Sequence, residues 1–383
     1  MTSTSQERNA EMRFRPALIA LAASALLAAP ALPARAADLD YGKPGDPVHL
    51  TVGYQPYYTQ AWSGVVINGL QNWKKYLPAG STVEFQAGLQ GAIVINAMLA
   101  GKANIGYVGD MPAIVGATKR SVADLRILAS IGLGEEQCNI FLVRNDAPSF
   151  ADQKAALQWM NGKSVAGPKG SCADRYAQAA FRAENVTPGE YLNQSIEVIT
   201  SGFRAGKLDA ATVWEPTASR LVVEGLARRV AGGSAIGDHD GAFIDIRNDL
   251  VQQRPDVVKA WLQTELDAEL YLGDPKNAAS VVGFAKAQTT GFTDKELWYA
   301  LYHAYPAEIG GVPVRLSFPF AFTDEIKALI KRDTAFLHSV KSIDTEQLPD
   351  DAVLTSFVAD VLKERGLKSP VAEVKTLPDT VSD

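Results

Sequence analysis

The sequence predicts an α/β protein of two lobes, each a mainly parallel sheet flanked by helices, hinged like a clamshell. Three observations predict it. Short buried strands run repeatedly into glycine or proline loops that open helices: Ser-Val-Ala-Gly-Pro-Lys-Gly-Ser171, Gly88-Leu-Gln-Gly91, and Val213-Trp-Glu-Pro216 before Thr217. Strand and helix patterns alternate through residues 49–131 and begin again through 151–232. A returning strand at 243–247 then makes the middle lobe an insertion, joined by two crossings near 134–140 and 233–243. Loops of this kind leave backbone N–H groups aimed at one spot, and parallel strands gather them at their carboxyl ends, where open α/β sheets bind ligands.

Taken in order, His49-Leu-Thr-Val-Gly53 reads as a strand with Tyr54-Gln-Pro-Tyr-Tyr58 as its exit loop. Residues 62–76 follow with apolar residues at helical spacing (Val65, Val66, Leu70, Trp73) and stop at Leu77-Pro78. A strand at 83–85, a buried helix at 92–100, a strand at 105–108 ending in Gly109-Asp110, a helix opened by Met111-Pro112 and a strand at 125–131 complete the first series. Residues 138–144 carry the chain out of that unit. The inserted lobe reads as strands at 164–166, 197–199 and 211–214, with helices to Met160, at 171–183, near Phe203 and at 217–224. Residues 249–365 are mostly helical, with Pro255 at a helix start and strong apolar periodicity over 257–272. The expected division is lobe I at 37–137 and 241–365, lobe II at 138–240, and a loosely draped acidic tail at 366–383.

With 383 residues, 47% hydrophobic and 21% charged, the chain has room for two packed cores. Its start differs from the rest. Arg13 and Arg15 precede an apolar run at 17–29, then Pro30, Pro33 and Ala34-Arg35-Ala36, the layout of a secretory signal cleaved after Ala36. That run is too short to span a bilayer, so no direct membrane anchor is expected. Removing the leader's arginines and glutamates takes the net charge from −6 to about −8. Nucleic acid is excluded as a partner on that sign. An exported chain permits a disulfide, and Cys138 and Cys172 either pair or remain two buried thiols.

Four stretches carry a resemblance: Gly53-Tyr-Gln-Pro56, the run at 97–112 (Ala-Met-Leu-Ala-Gly-Lys-Ala-Asn-Ile-Gly-Tyr-Val-Gly-Asp-Met-Pro), Gly162-Lys-Ser-Val-Ala-Gly-Pro-Lys-Gly-Ser171, and Phe203-Arg-Ala-Gly-Lys-Leu-Asp-Ala-Ala-Thr-Val-Trp-Glu-Pro216. In this order they resemble the substrate-binding proteins of nitrate/sulfonate/taurine-type ABC importers, over nearly the whole mature chain. The resemblance implies the periplasmic-binding-protein clamshell, a small polar ligand, an ABC permease in the inner membrane as partner, and a monomer in the periplasm. It places the ligand shell on Tyr54 and Gln55, Gln90, Asp110, Glu135 and Glu136, Ser171 and Cys172, and Trp214 and Glu215.

Several of those positions are acids, with Asp174 close by, and carboxylates around a desolvated anion repel it. The expected ligand is therefore a cation or zwitterion such as guanidine or a small amine, flanked by Tyr54, Trp62 or Trp214 for cation–π contact. Members associated with urea or guanidine carboxylase pathways look most similar. The alternative is a small anion (nitrate, sulfonate or taurine), with Asp110 and Glu215 capping helices and Glu135-Glu136 in water at the hinge.

An enzyme is disfavoured. The histidines (49, 239, 303, 338) are scattered, with no H-E-x-x-H, no G-x-S-x-G elbow and no nucleotide loop, so neither a metal nor a cofactor is expected. Cys172 at a helix start has the setting of an activated thiol, but no histidine lies near it in sequence. A ligand-sensing subunit on the same fold shares every motif named above.

Overall fold

The computed structural model describes residues 39–379, and the leader with its expected cleavage after Ala36 lies outside them. The first series is β1 (His49–Tyr54), α1 (Trp62–Leu70), β2 (Thr82–Ala87), α2 (Gly91–Leu99), β3 (Ile105–Gly109), α3 (Asp110–Thr118) and β4 (Leu125–Gly134). The second is β5 (Ile140–Arg144), α4 (Gln153–Trp159), β6 (Ser164–Gly167), α5 (Cys172–Ala183), β7 (Glu190–Asn193), α6 (Ile196–Arg204), β8 (Ala210–Val213), α7 (Thr217–Val223) and β9 (Ala227–Gly232). The chain returns through β10 (Asp240–Arg247), α8 (Asn248–Gln253), α9 (Pro255–Gly273), α10 (Ala278–Gln288), α11 (Asp294–Leu301), β11 (Val314–Phe318), α12 (Asp324–Ser339), α13 (Thr355–Arg365) and β12 (Ala372–Lys375).

These strands form two sheets, one ordered β12-β11-β4-β10-β3-β1-β2 and the other β7-β6-β8-β5-β9. The architecture is the two-lobed α/β one. β1 runs parallel to both β2 and β3, and β6 runs parallel to both β7 and β8. The crossing strands break the parallel pattern: β10 lies antiparallel between β3 and β4, and β5 antiparallel between β8 and β9. Burial explains the composition of the central strands. Every residue of β3, β4 and β10 is buried, as expected of strands covered on both faces, whereas edge strand β2 is mostly exposed, with only Val83 and Phe85 partly covered.

Three expectations need correction. Residues 197–199 belong to α6, not to a strand: Ser195 caps the helix, and Ile196, Ile199, Thr200 and Phe203 are buried at helical spacing. The β-branched pair Val198-Ile199 imitated a strand, and the strand itself is the polar edge segment β7. The tail is not loosely draped over its whole length, because β12 pairs antiparallel with β11. Finally β9, with Arg228-Arg229 at its centre, had no apolar signature. It enters the sheet because Arg229 is neutralised inside the protein by Glu136, 2.7 Å away.

Candidate ligand-binding cavity

The loops after β1, β2, β3, β6 and β8 surround a cavity of about 270 Å³ between the two sheets. One wall is the start of α2. Gln90 occupies the N-cap in an extended conformation, and its side chain makes no capping hydrogen bond. The first N–H groups of the helix, those of Gly91 and Ala92, have no partner within a helix, and both residues line the cavity. Glycine is required at 91. A Cβ there would stand 2.4 Å from Pro112 Cγ and 3.1 Å from Gln55 Oε1. Gln55 is itself buried and lines the cavity, and its Oε1 has no hydrogen-bond partner. A half-turn of that amide presents two N–H donors in the oxygen's place.

The facing wall is the start of α5. Ser171 Oγ accepts from Asp174 N at 3.2 Å and donates to Pro168 O at 2.6 Å, so the hydroxyl is spent on capping. What this turn offers a ligand is backbone N–H from Cys172 and Ala173. Cys172 also forms a disulfide with Cys138, just before β5, with 5.9 Å between their Cα atoms. The bridge ties the helix start to the crossing, and it answers the question of pairing. Asp174 turns away: its carboxylate accepts from Gly170 N (2.8 Å), Gln178 (2.9 Å) and the Tyr191 hydroxyl (2.9 Å).

Of the residues expected at the site, Gln55, Gln90, Ser171, Cys172 and Trp214 line the cavity. The others serve elsewhere. Tyr54 packs edge-on against Phe85 and accepts from Asn68 through its hydroxyl. Trp62 is fully buried in the core and donates to Pro56 O. Asp110 satisfies its own helix, accepting from Met111 N at 2.7 Å, and accepts from Gly241 N at 3.1 Å across the sheet. Glu135 lies 3.3 Å from His239 Nε2, and that contact raises the histidine's pKa.

Glu136 and Glu215 belong to a buried ionic cluster. Glu136 Oε2 meets Arg315 at 2.5 Å and Arg229 at 2.7 Å, while its Oε1 accepts from Val312 N. Glu215 accepts from Ser219 N and lies 3.8 Å from Arg315 and 3.9 Å from Arg229. Burial pushes Glu215 up to about 7, against the pull of the two arginines. Both guanidinium groups also stack over the Tyr305 ring. No acid among the described residues lines the cavity, which instead carries Lys119 and Lys169. The reasoning that demanded a cation therefore fails, because its carboxylates lie off the cavity lining and are met by hydrogen-bond donors or cations of the protein itself.

A model of the NMT1-like family matches residues 43–286, a span that holds every cavity residue named so far. The chain belongs to the NMT1-like family. The motifs that resembled nitrate/sulfonate/taurine-type binding proteins lie within that matched span. The NMT1-like chain is 26% identical over 234 residues to the taurine-binding periplasmic protein of Escherichia coli, covering 60% of this chain and 68% of that one. Many solved structures share its fold, two binding proteins among them. The alkanesulfonate-binding protein of Xanthomonas axonopodis, bound to MOPS, aligns with a TM-score of 0.63 at 18% identity, covering 82% of this chain and 99% of that one. The nitrate-binding protein of Synechocystis aligns with a TM-score of 0.66 at 14% identity, covering 84% and 90%.

Both cysteines of the NMT1-like chain are held in the disulfide, so the thiol weighed at Cys172 has no free sulfur, and the cavity is built from amide donors and apolar walls. The residues that sequence reasoning missed are Tyr58, Gly91, Ala92, Ile95, Leu99, Val115, Lys119 and Lys169. The helical spacing of Ala92, Ile95 and Leu99 was visible, but it reads equally as core.

Proposed function

We propose that this protein is exported and captures a small solute bearing an oxyanion head, of the sulfonate class, between its lobes for delivery to an ABC permease. One observation carries the reading: two helix starts face a cavity with no acid in its lining, beside Gln55, whose amide oxygen has no hydrogen-bond partner. Backbone N–H groups at the starts of helices favour negative charge, and here none of it is supplied by the protein. Relatives named for taurine, alkanesulfonate and nitrate share an oxyanion head in their ligands, and the expectation of guanidine or another cation is withdrawn. Gln55, Gln90 and Trp214, with the N–H groups at Gly91 and Cys172, form the head site in this reading. The moving bodies are 37–137 with 241–365 against 138–240, and the mature chain begins after Ala36. A disulfide spanning the inserted lobe suits an oxidising compartment.

Calorimetric titration of the purified mature protein with methanesulfonate, nitrate, taurine and guanidinium tests the sign. At least one anion binds and guanidinium does not. Binding of guanidinium with no response to any anion overturns the proposal.

A further inference from the structure

We infer that the solute is a bipolar organic dianion, with its second negative group held by Lys119; this rests on the anion-binding reading above. The cavity exceeds the needs of a head group alone. At about 270 Å³ it would hold roughly nine waters at ~30 Å³ each, close to the lower range for sites that enclose organic ligands.

Its shape follows from two helices. Ala92, Ile95 and Leu99 of α2 and Pro112, Val115 and Lys119 along α3 all line it, each set at the spacing of one helix face. At ~1.5 Å rise per residue, each stripe extends roughly 10 Å from the head site. Between the ends the wall is hydrocarbon, so the body of the solute is too. At the far end of the α3 stripe stands Lys119, half-buried, with Asn96 also on the lining.

Charge fixes the second group. Lys119 and Lys169 line the cavity, neither makes an ion pair among the described residues, and no acid accompanies them in the lining. Lys169 is exposed and solvated, whereas half-buried Lys119, at the end of the hydrocarbon wall, is left for a second anionic group to pair with. A terminal ammonium would meet lysine with no carboxylate to receive it.

Three solutes with the same sulfonate head and four-carbon body test this: sulfobutanoate, butanesulfonate and aminobutanesulfonate, ending in carboxylate, methyl and ammonium. By calorimetry the carboxylate form binds about fivefold to tenfold tighter than the methyl form, as befits a partly exposed ion pair, and the ammonium form binds most weakly. In Lys119→Met the ratio of carboxylate to methyl affinity collapses towards one, and Lys119→Arg restores it. Equal binding of the first two by the wild type, or an unchanged ratio in Lys119→Met, overturns the assignment of Lys119 while leaving the anion site standing. Failure of all three solutes alongside binding of guanidinium overturns the anion reading as well.

Discussion

Trp214 and Glu215 are neighbours in the chain, yet they face two regions that handle charge in opposite ways. Trp214 lines a cavity whose polar character comes from backbone N–H groups, an amide and lysines. Glu215 joins Glu136, Arg229 and Arg315 in a cluster that is fully buried and internally compensated. The cluster spends its charge on itself, and the cavity keeps its donors for a visitor. The comparison teaches that an acid close to a binding loop in sequence says little about the sign of the site, because burial makes an acid find a cation, find hydrogen-bond donors or keep its proton within the protein.

The sharpest way to break the contrast is to unbalance the cluster. Arg315→Met leaves Glu136 and Glu215 with Arg229 as their remaining arginine and should cost about 3–5 kcal/mol in urea unfolding, as for other buried pairs that lose one partner. A loss below about 1 kcal/mol would mean that the cluster is not the compensated unit described here. A smaller effect is expected on the cavity side. Gln55→Leu removes an unpartnered polar group, so stability should hold or rise slightly, while anion affinity falls about tenfold through one lost hydrogen bond to a charge. Unchanged affinity would remove Gln55 from the head site.

The mildest test is pH. Burial raises Glu215 to about 7 and, with the nearby charge of Asp110 adding to it, Asp240 to about 8. Both acids therefore bind more protons in the folded chain than in the unfolded one between the ordinary carboxylate range and those values. Stability is fullest on the acid side and declines as pH rises through about 4 to 8. Asp351, lowered to about 2 by hydrogen bonds from Arg120 and Arg126, acts in the opposite sense, its contribution being lost only as pH falls below the ordinary carboxylate range, so it adds little slope above about pH 5. Urea unfolding from about pH 5 to pH 8 should show the decline, and Glu215→Gln should flatten it; an identical slope in the variant would place the proton uptake elsewhere.

Much of the fold was legible because its signals are local. Largely apolar runs such as 125–131 and glycine turns such as 167–170 read directly as buried strands and helix starts. The misses share a cause: β7, β9 and β12 are strands by virtue of their neighbours, and Arg229 is at home in a sheet only because Glu136 arrives from a distant part of the chain. The site divided in the same way. Gln55, Gln90, Ser171, Cys172 and Trp214 sit on loops whose position follows from strand order, so motif reasoning reached them. Lys119 is the residue after the last turn of α3, and nothing in its surroundings in sequence separates it from a solvent lysine. The sign of the ligand was missed because pairing of Glu136 with Arg315 spans 179 positions.

That span has a consequence for biogenesis. A polypeptide threaded across a membrane from its first residue delivers Glu136, Glu215 and Arg229 long before the strand that carries Arg315. Until β11 docks beside β4, the inserted lobe can complete its own sheet while holding an acid in excess at its base. The cavity between the two sheets is thereby complete only once the strand that carries Arg315 is in place.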